Sequence, residues 1–84
     1  MALARTAGIA LAATGAAHFA APQAFVPITK MAFPHDTNAW IQRNGATEVA
    51  LGVALTFAKT RKLGLIGAAA YTAWLGARTV SNAR

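Results

Sequence analysis

The sequence predicts an all-α fold, with three transmembrane helices packed as a small bundle and a proline-containing outer loop between the first and second. Three observations predict it. Hydrophobic residues make up 56% of the 84 and charged residues only 12%, against about 25% charged in an average soluble domain. No Lys, Arg, Asp or Glu occurs from Thr6 to Thr29. All three prolines, Pro22, Pro27 and Pro34, fall between the first and second apolar stretches. A soluble chain of this length buries only about 60% of its unfolded surface, so its surface would be short of charge, whereas a lipid-facing surface would not. Mean hydropathy is a modest +0.42, because alanine and glycine fill much of the apolar count. Such residues favour helix and let helix backbones approach closely.

The chain reads as one membrane domain, residues 1–84. The first helix covers about residues 3–21 and stops at Pro22, whose ring clashes with the preceding turn. Met1–Ala24 also carries a signal-peptide pattern: a basic residue, an apolar stretch and small residues near a possible cleavage point. Its removal would leave two weak helices, so it is read as retained. Residues 22–36 form the connecting loop, with room for a short interfacial helix through Phe25–Phe33. The second helix covers about 37–58, with Asp36 or Thr37 as N-cap and Trp40 at headgroup level. A basic turn, 59–62, leads to the third helix at about 63–80, and the polar tail from Ser81 is expected to fray.

Charge sets the expected orientation. The basic turn, with Lys59, Arg61 and Lys62, belongs on the cytoplasmic side by the positive-inside bias. The N-terminus with Arg5 then lies inside too, and loop 22–36 and the C-terminus outside, across a bacterial-type inner membrane. The net charge of +6 raises a nucleic-acid reading, but the cations are scattered at helix ends and form no stripe that would track a phosphate backbone. Nucleic acid is therefore not an expected partner. The absence of cysteine removes disulfides, thiolate metal sites and thiol chemistry by this chain.

Glu48 is the most informative residue. It lies about 16 Å into the second helix, near mid-membrane, at about 1.5 Å per residue. A carboxylate there has to face protein, pair or be protonated. Helical spacing puts Asn44, Gly45 and Gly52 on its face, and the two glycines allow another helix to come close. Glu48 is read either as a proton-active or ligand-contacting group, or as a structural acid bonded to a neighbouring helix. Arg43 sits about 140° round the helix from Glu48, so it snorkels to the interface instead of pairing within the helix. His18, one turn before Pro22, is expected to hydrogen-bond a neighbouring helix or the loop backbone. His35 is the one other histidine, in the loop, and no metal-ligand pair spacing exists. Ser81 has no base or orienting acid beside it. No catalytic residue, cofactor or metal is predicted, and the chain is not read as an enzyme.

Gly15-Ala16-Ala17-His18-Phe19-Ala20-Ala21-Pro22, followed by Phe25, resembles the G-x-x-H-F-x-x-P pattern that ends the first helix of DoxX-like membrane proteins. Asn44-Gly45-Ala46-Thr47-Glu48-Val49-Ala50-Leu51-Gly52 is similar to that family's second helix, and the basic turn 59–62 agrees with the family pattern. The resemblance covers about residues 8–76. The family's usual form has four helices, where three are read here. The resemblance implies association with redox-linked membrane complexes, including quinone-linked thiosulfate oxidation, with His18 and Glu48 as the matching polar positions.

The leading functional expectation is a non-catalytic accessory or assembly subunit of a larger membrane complex, with lipid and other integral membrane subunits as partners. Respiratory or other redox complexes are the expected hosts. One alternative is a quinone-linked redox protein using His18 and Glu48. The other is a soluble helical bundle that binds an acidic partner. A chain this small is expected to have little room for a ligand pocket of its own, since such pockets start at about 300 Å³.

Overall fold

The computed structural model describes residues 2–84. The fold is all-α, with four helices in the order α1 (Ala2–Ala20), α2 (Val26–Ala32), α3 (Thr37–Thr56) and α4 (Arg61–Ala83). A 3₁₀ turn, Pro22–Phe25, joins α1 to α2. The loop read between the first two long helices therefore contains a helix of its own. Pro22 and Pro27 stand at the starts of these short elements, where a missing N–H costs nothing.

The chain turns by 113° between α1 and the Pro22–Ala32 segment. Asp36 is the N-cap of α3, as expected, with a left-handed backbone, φ 54°, but its carboxylate makes no capping bond. The Thr37 hydroxyl donates instead to the Phe33 carbonyl at 2.7 Å, tying α3 to the end of α2.

α1 and α3 form the closest pair in the fold, and they meet backbone to backbone. Gly8 and Gly15 on α1 face Gly52 and Gly45 on α3. The members of each pair are seven residues apart, close to two turns, and so share a face. A Cβ placed on Gly8 would lie 2.7 Å from the Gly52 carbonyl oxygen, and one on Gly45 would lie 2.9 Å from that of Gly15. No side chain fits there without separating the helices.

α4 packs on α3 and α2, and both of its ends are fastened. At its start, the Arg61 guanidinium donates to the Leu55 and Thr56 carbonyls at 2.9 and 3.2 Å. The Thr60 hydroxyl donates to the Ala54 carbonyl at 2.8 Å. The last carbonyls of α3 thus gain partners, and helix begins at Arg61, earlier than expected. At the far end, Arg78 Nε and Asn82 Nδ2 both donate to the Ala32 carbonyl, at 3.1 and 2.8 Å. The tail expected to fray is consequently helical to Ala83.

Next to this clasp, Phe33 stacks on Trp40 with ring centroids 4.3 Å apart, and Trp74 leans against both rings. The Arg78 guanidinium lies 4.5 Å from the centre of the Phe33 ring. Cation–π attraction and a hydrogen bond to the Ala32 carbonyl thus act through one side chain.

The interior is small and partly polar. The buried hydrophobic residues are Ala32, Phe33, Ile41 and Leu55, and His18, Thr29, Asn44 and Glu48 are buried with them. Leu3, Ile9, Ile28, Met31, Phe57, Leu63, Leu65, Ile66 and Val80 are among the large apolar side chains left exposed. Among the described residues, no single helix is both long and apolar enough to cross a membrane; α1 and Pro22–Ala32 pass that test only together, as a bent pair.

Candidate functional site

The site forms where the last turn of α1, the middle of α3 and the middle of α4 converge. Pro22 ends α1 and leaves His18 in its final turn, 4% exposed. His18 Nδ1 lies 2.8 Å from the Thr14 carbonyl. A carbonyl can only accept, so Nδ1 carries a hydrogen. The 3₁₀ turn lays Phe25 flat against the imidazole, with centroids 3.8 Å apart and planes 20° from parallel.

The other ring nitrogen, Nε2, faces Glu48 Oε2 at 3.8 Å, an electrostatic contact longer than a hydrogen bond. The same oxygen accepts the Tyr71 hydroxyl at 2.9 Å. The two side chains thus face each other in a buried setting, where an uncompensated charge is expensive.

The glycines of α3 set this geometry. The His18 Cβ sits 2.6 Å from where a Cβ on Gly45 would be, so the absence of that atom lets the imidazole reach Glu48. Gly52, one turn beyond Glu48, receives the backbone of α1 at Gly8 and Ala12. Both act through helix approach and neither offers a ligand. Asn44, one turn before Glu48, is 6% exposed and has its place beside the carboxylate in the cleft described next.

α4 packs on α2 and α3 and stands off from α1, and the gap is a cleft of about 440 Å³. That is within the range of small-molecule sites, about 300–1,000 Å³, and it corrects the expectation that the chain has little room for one. Phe25, Ile28, Phe33 and Leu75 supply apolar wall, and His18, Asn44, Glu48 and Tyr71 supply polar groups. Among the described residues, no group of three or more His, Asp or Glu side chains is placed to hold a metal.

A family model described as a domain of unknown function (DUF8561) matches residues 7–84, which takes in the whole cleft. The chain belongs to the DUF8561 family. No curated protein and no solved structure matches it.

In this DUF8561 chain the five sequence-predicted positions come together, three on the cleft and two in the helix contact that shapes it. Arg43 and His35 stay outside and exposed, with the Arg43 guanidinium 4.8 Å from the centre of the Trp40 ring. His18 does not bond the loop backbone or a neighbouring helix as expected; its bond stays within α1, and Glu48 is its contact across the interface. Tyr71 is the site residue that sequence reasoning missed as a partner. The available signal was that a buried carboxylate needs a donor, and Tyr71 is the one phenol in the chain.

Proposed function

We propose that this chain is a small membrane-embedded bundle that serves as a non-catalytic accessory subunit of a larger membrane assembly. One observation carries the reading: polar side chains line the interior while large apolar ones face outward on every long helix. In water this arrangement leaves a wide apolar surface uncovered. In a bilayer, lipid or neighbouring helices cover it and the polar groups are sheltered.

Helix length supports the reading. At about 1.5 Å per residue, α1, α3 and α4 extend roughly 28–35 Å, close to the hydrocarbon thickness of about 30 Å. In α3, Asn44 and Glu48 face inward, while Asn38, Gln42 and Arg43 are exposed toward its N-terminal end, where polar side chains reach the interface. Glycine-on-glycine contact between α1 and α3 is the packing that works where lipid gives no hydrophobic drive between helices. In this reading the turn carrying Lys59 and Lys62 is cytoplasmic and α2 lies on the outer side. The resemblance to DoxX-like proteins makes a redox complex the first host to test.

Carbonate extraction of membranes followed by mild-detergent purification through a tag tests this. The expected result is retention in the membrane pellet and recovery with stoichiometric integral-membrane partners. Release by carbonate refutes the membrane reading. Retention with recovery of the chain alone refutes the accessory role.

A further inference from the structure

We infer that the cleft between α1 and α4 binds an uncharged single-chain amphiphile whose head both donates and accepts hydrogen bonds, such as a primary alcohol or amide. The inference stands on the cleft itself, whatever covers the outer faces of the helices.

The first observation is Asn44. The residue is 6% exposed and lines the cleft, yet its amide makes no hydrogen bond to the described residues. No buried side-chain polar atom is sealed off without a partner, so the Asn44 amide opens onto the cleft. An amide presents a carbonyl acceptor and an NH₂ donor side by side. A hydroxyl or carboxamide head satisfies both, whereas an ether or a quinone carbonyl satisfies the donor alone.

The second observation is charge. His18 and Glu48 are the ionisable pair on the cleft wall, the Tyr71 hydroxyl is engaged by Glu48, and no Lys, Arg or Asp lines it. Glu48 is already faced by His18 at 3.8 Å and bonded by Tyr71. A charged head would enter with no counter-charge waiting, at the full cost of desolvation.

The third observation is shape. Most of the remaining wall is apolar, Phe25, Ile28, Phe33 and Leu75 among it, interrupted by threonines such as Thr29 and Thr72, and it reaches Gly76, where an added Cβ would meet nothing within 4 Å. Water can answer Asn44 but leaves these apolar surfaces wet. An alkyl chain covers them.

The test follows the Asn44 side-chain amide by ¹⁵N NMR in the intact purified chain, with its signal identified by its loss in Asn44→Leu. Titration with 1-decanol should move this signal saturably and leave the Asn38 and Asn82 amides in place. Decanoate, decylammonium, decyl methyl ether and decyl-benzoquinone keep a ten-carbon chain and change the head, and each should bind at least tenfold more weakly. Gly76→Phe builds a ring from a Cβ that meets nothing within 4 Å, and it should abolish the saturable shift while circular dichroism shows the helices intact. An Asn44 signal that decanol leaves unmoved overturns the site. Equal or tighter binding of any other head overturns the head chemistry. Undiminished binding by folded Gly76→Phe places the ligand elsewhere and overturns the cleft.

Discussion

Replacing Gly52 by alanine and, separately, Gly76 by alanine makes the same chemical change in two helices and should move stability in opposite directions. In any helix, Gly→Ala gains about 1 kcal/mol by lowering backbone entropy in the unfolded chain. At Gly76 nothing lies within 4 Å of the new methyl, so Gly76→Ala should stabilise by about that amount. At Gly52 the methyl meets the Ala12 backbone nitrogen and lies 2.6 Å from the Gly8 carbonyl oxygen. Ordinary contact needs roughly 3.4 Å, and rigid backbone cannot rotate aside. α1 therefore has to move out by about 1 Å, a misfit at the upper end of overpacking costs, about 3 kcal/mol. The helix gain offsets about 1 kcal/mol of this, leaving Gly52→Ala destabilised by about 2 kcal/mol. Gly8→Ala presses on the same contact from the other side, so the double variant should cost at least 1 kcal/mol less than the sum of the singles. Reversible unfolding followed by circular dichroism at 222 nm measures all four. Stabilisation by both Gly52→Ala and Gly76→Ala, or strict additivity of Gly8→Ala with Gly52→Ala, would refute backbone contact between α1 and α3.

Tyr71→Phe keeps the ring and removes the donor to Glu48; it should cost about 1–3 kcal/mol, and an unchanged unfolding midpoint would show that the bond carries no weight. Arg61→Met should cost about 1 kcal/mol by leaving the Leu55 and Thr56 carbonyls to solvent. Arg61→Lys should recover little of that, because an ammonium lacks the two-pronged fork; full recovery would mean that charge alone is what α3 requires. Asn82→Ala removes one of the two donors to the Ala32 carbonyl, so backbone amides of the last turn of α4 should exchange about fivefold faster with the rest of the bundle unaffected. Hydrogen exchange resolved by residue decides it, and unchanged rates at 80–83 would release the tail from the clasp.

Much of the site was legible because helical spacing is a local property. Asn44, Gly45, Glu48 and Gly52 fall on one face by arithmetic alone, and the two glycines announced that another helix would come close. That the helix was α1, and that its own glycines oppose them, was not legible. Gly8 and Gly15 stand in an alanine-rich run where many residues are small, and nothing local marks which face is used. The cleft was missed for a related reason: its volume depends on α4 standing off from α1, a spacing set by contacts of α4 with α2 and α3. The fraying expected at Ser81–Arg84 failed because Asn82 was counted as polar tail, whereas it finds the Ala32 carbonyl 50 residues away in the chain, beside the bond from Arg78.

By itself the sequence determined the helical class, the punctuation at Pro22, Pro34 and the Lys59–Lys62 region, and the burden a carboxylate at position 48 places on its surroundings. These follow from propensity, ring sterics and desolvation, which act within a few residues or on a single group. Tertiary structure decided who relieves that burden. The bond from Tyr71 to Glu48 closes across 23 residues, and the approach of His18 is set by how far two glycine-lined backbones can sink together, a distance no local pattern encodes.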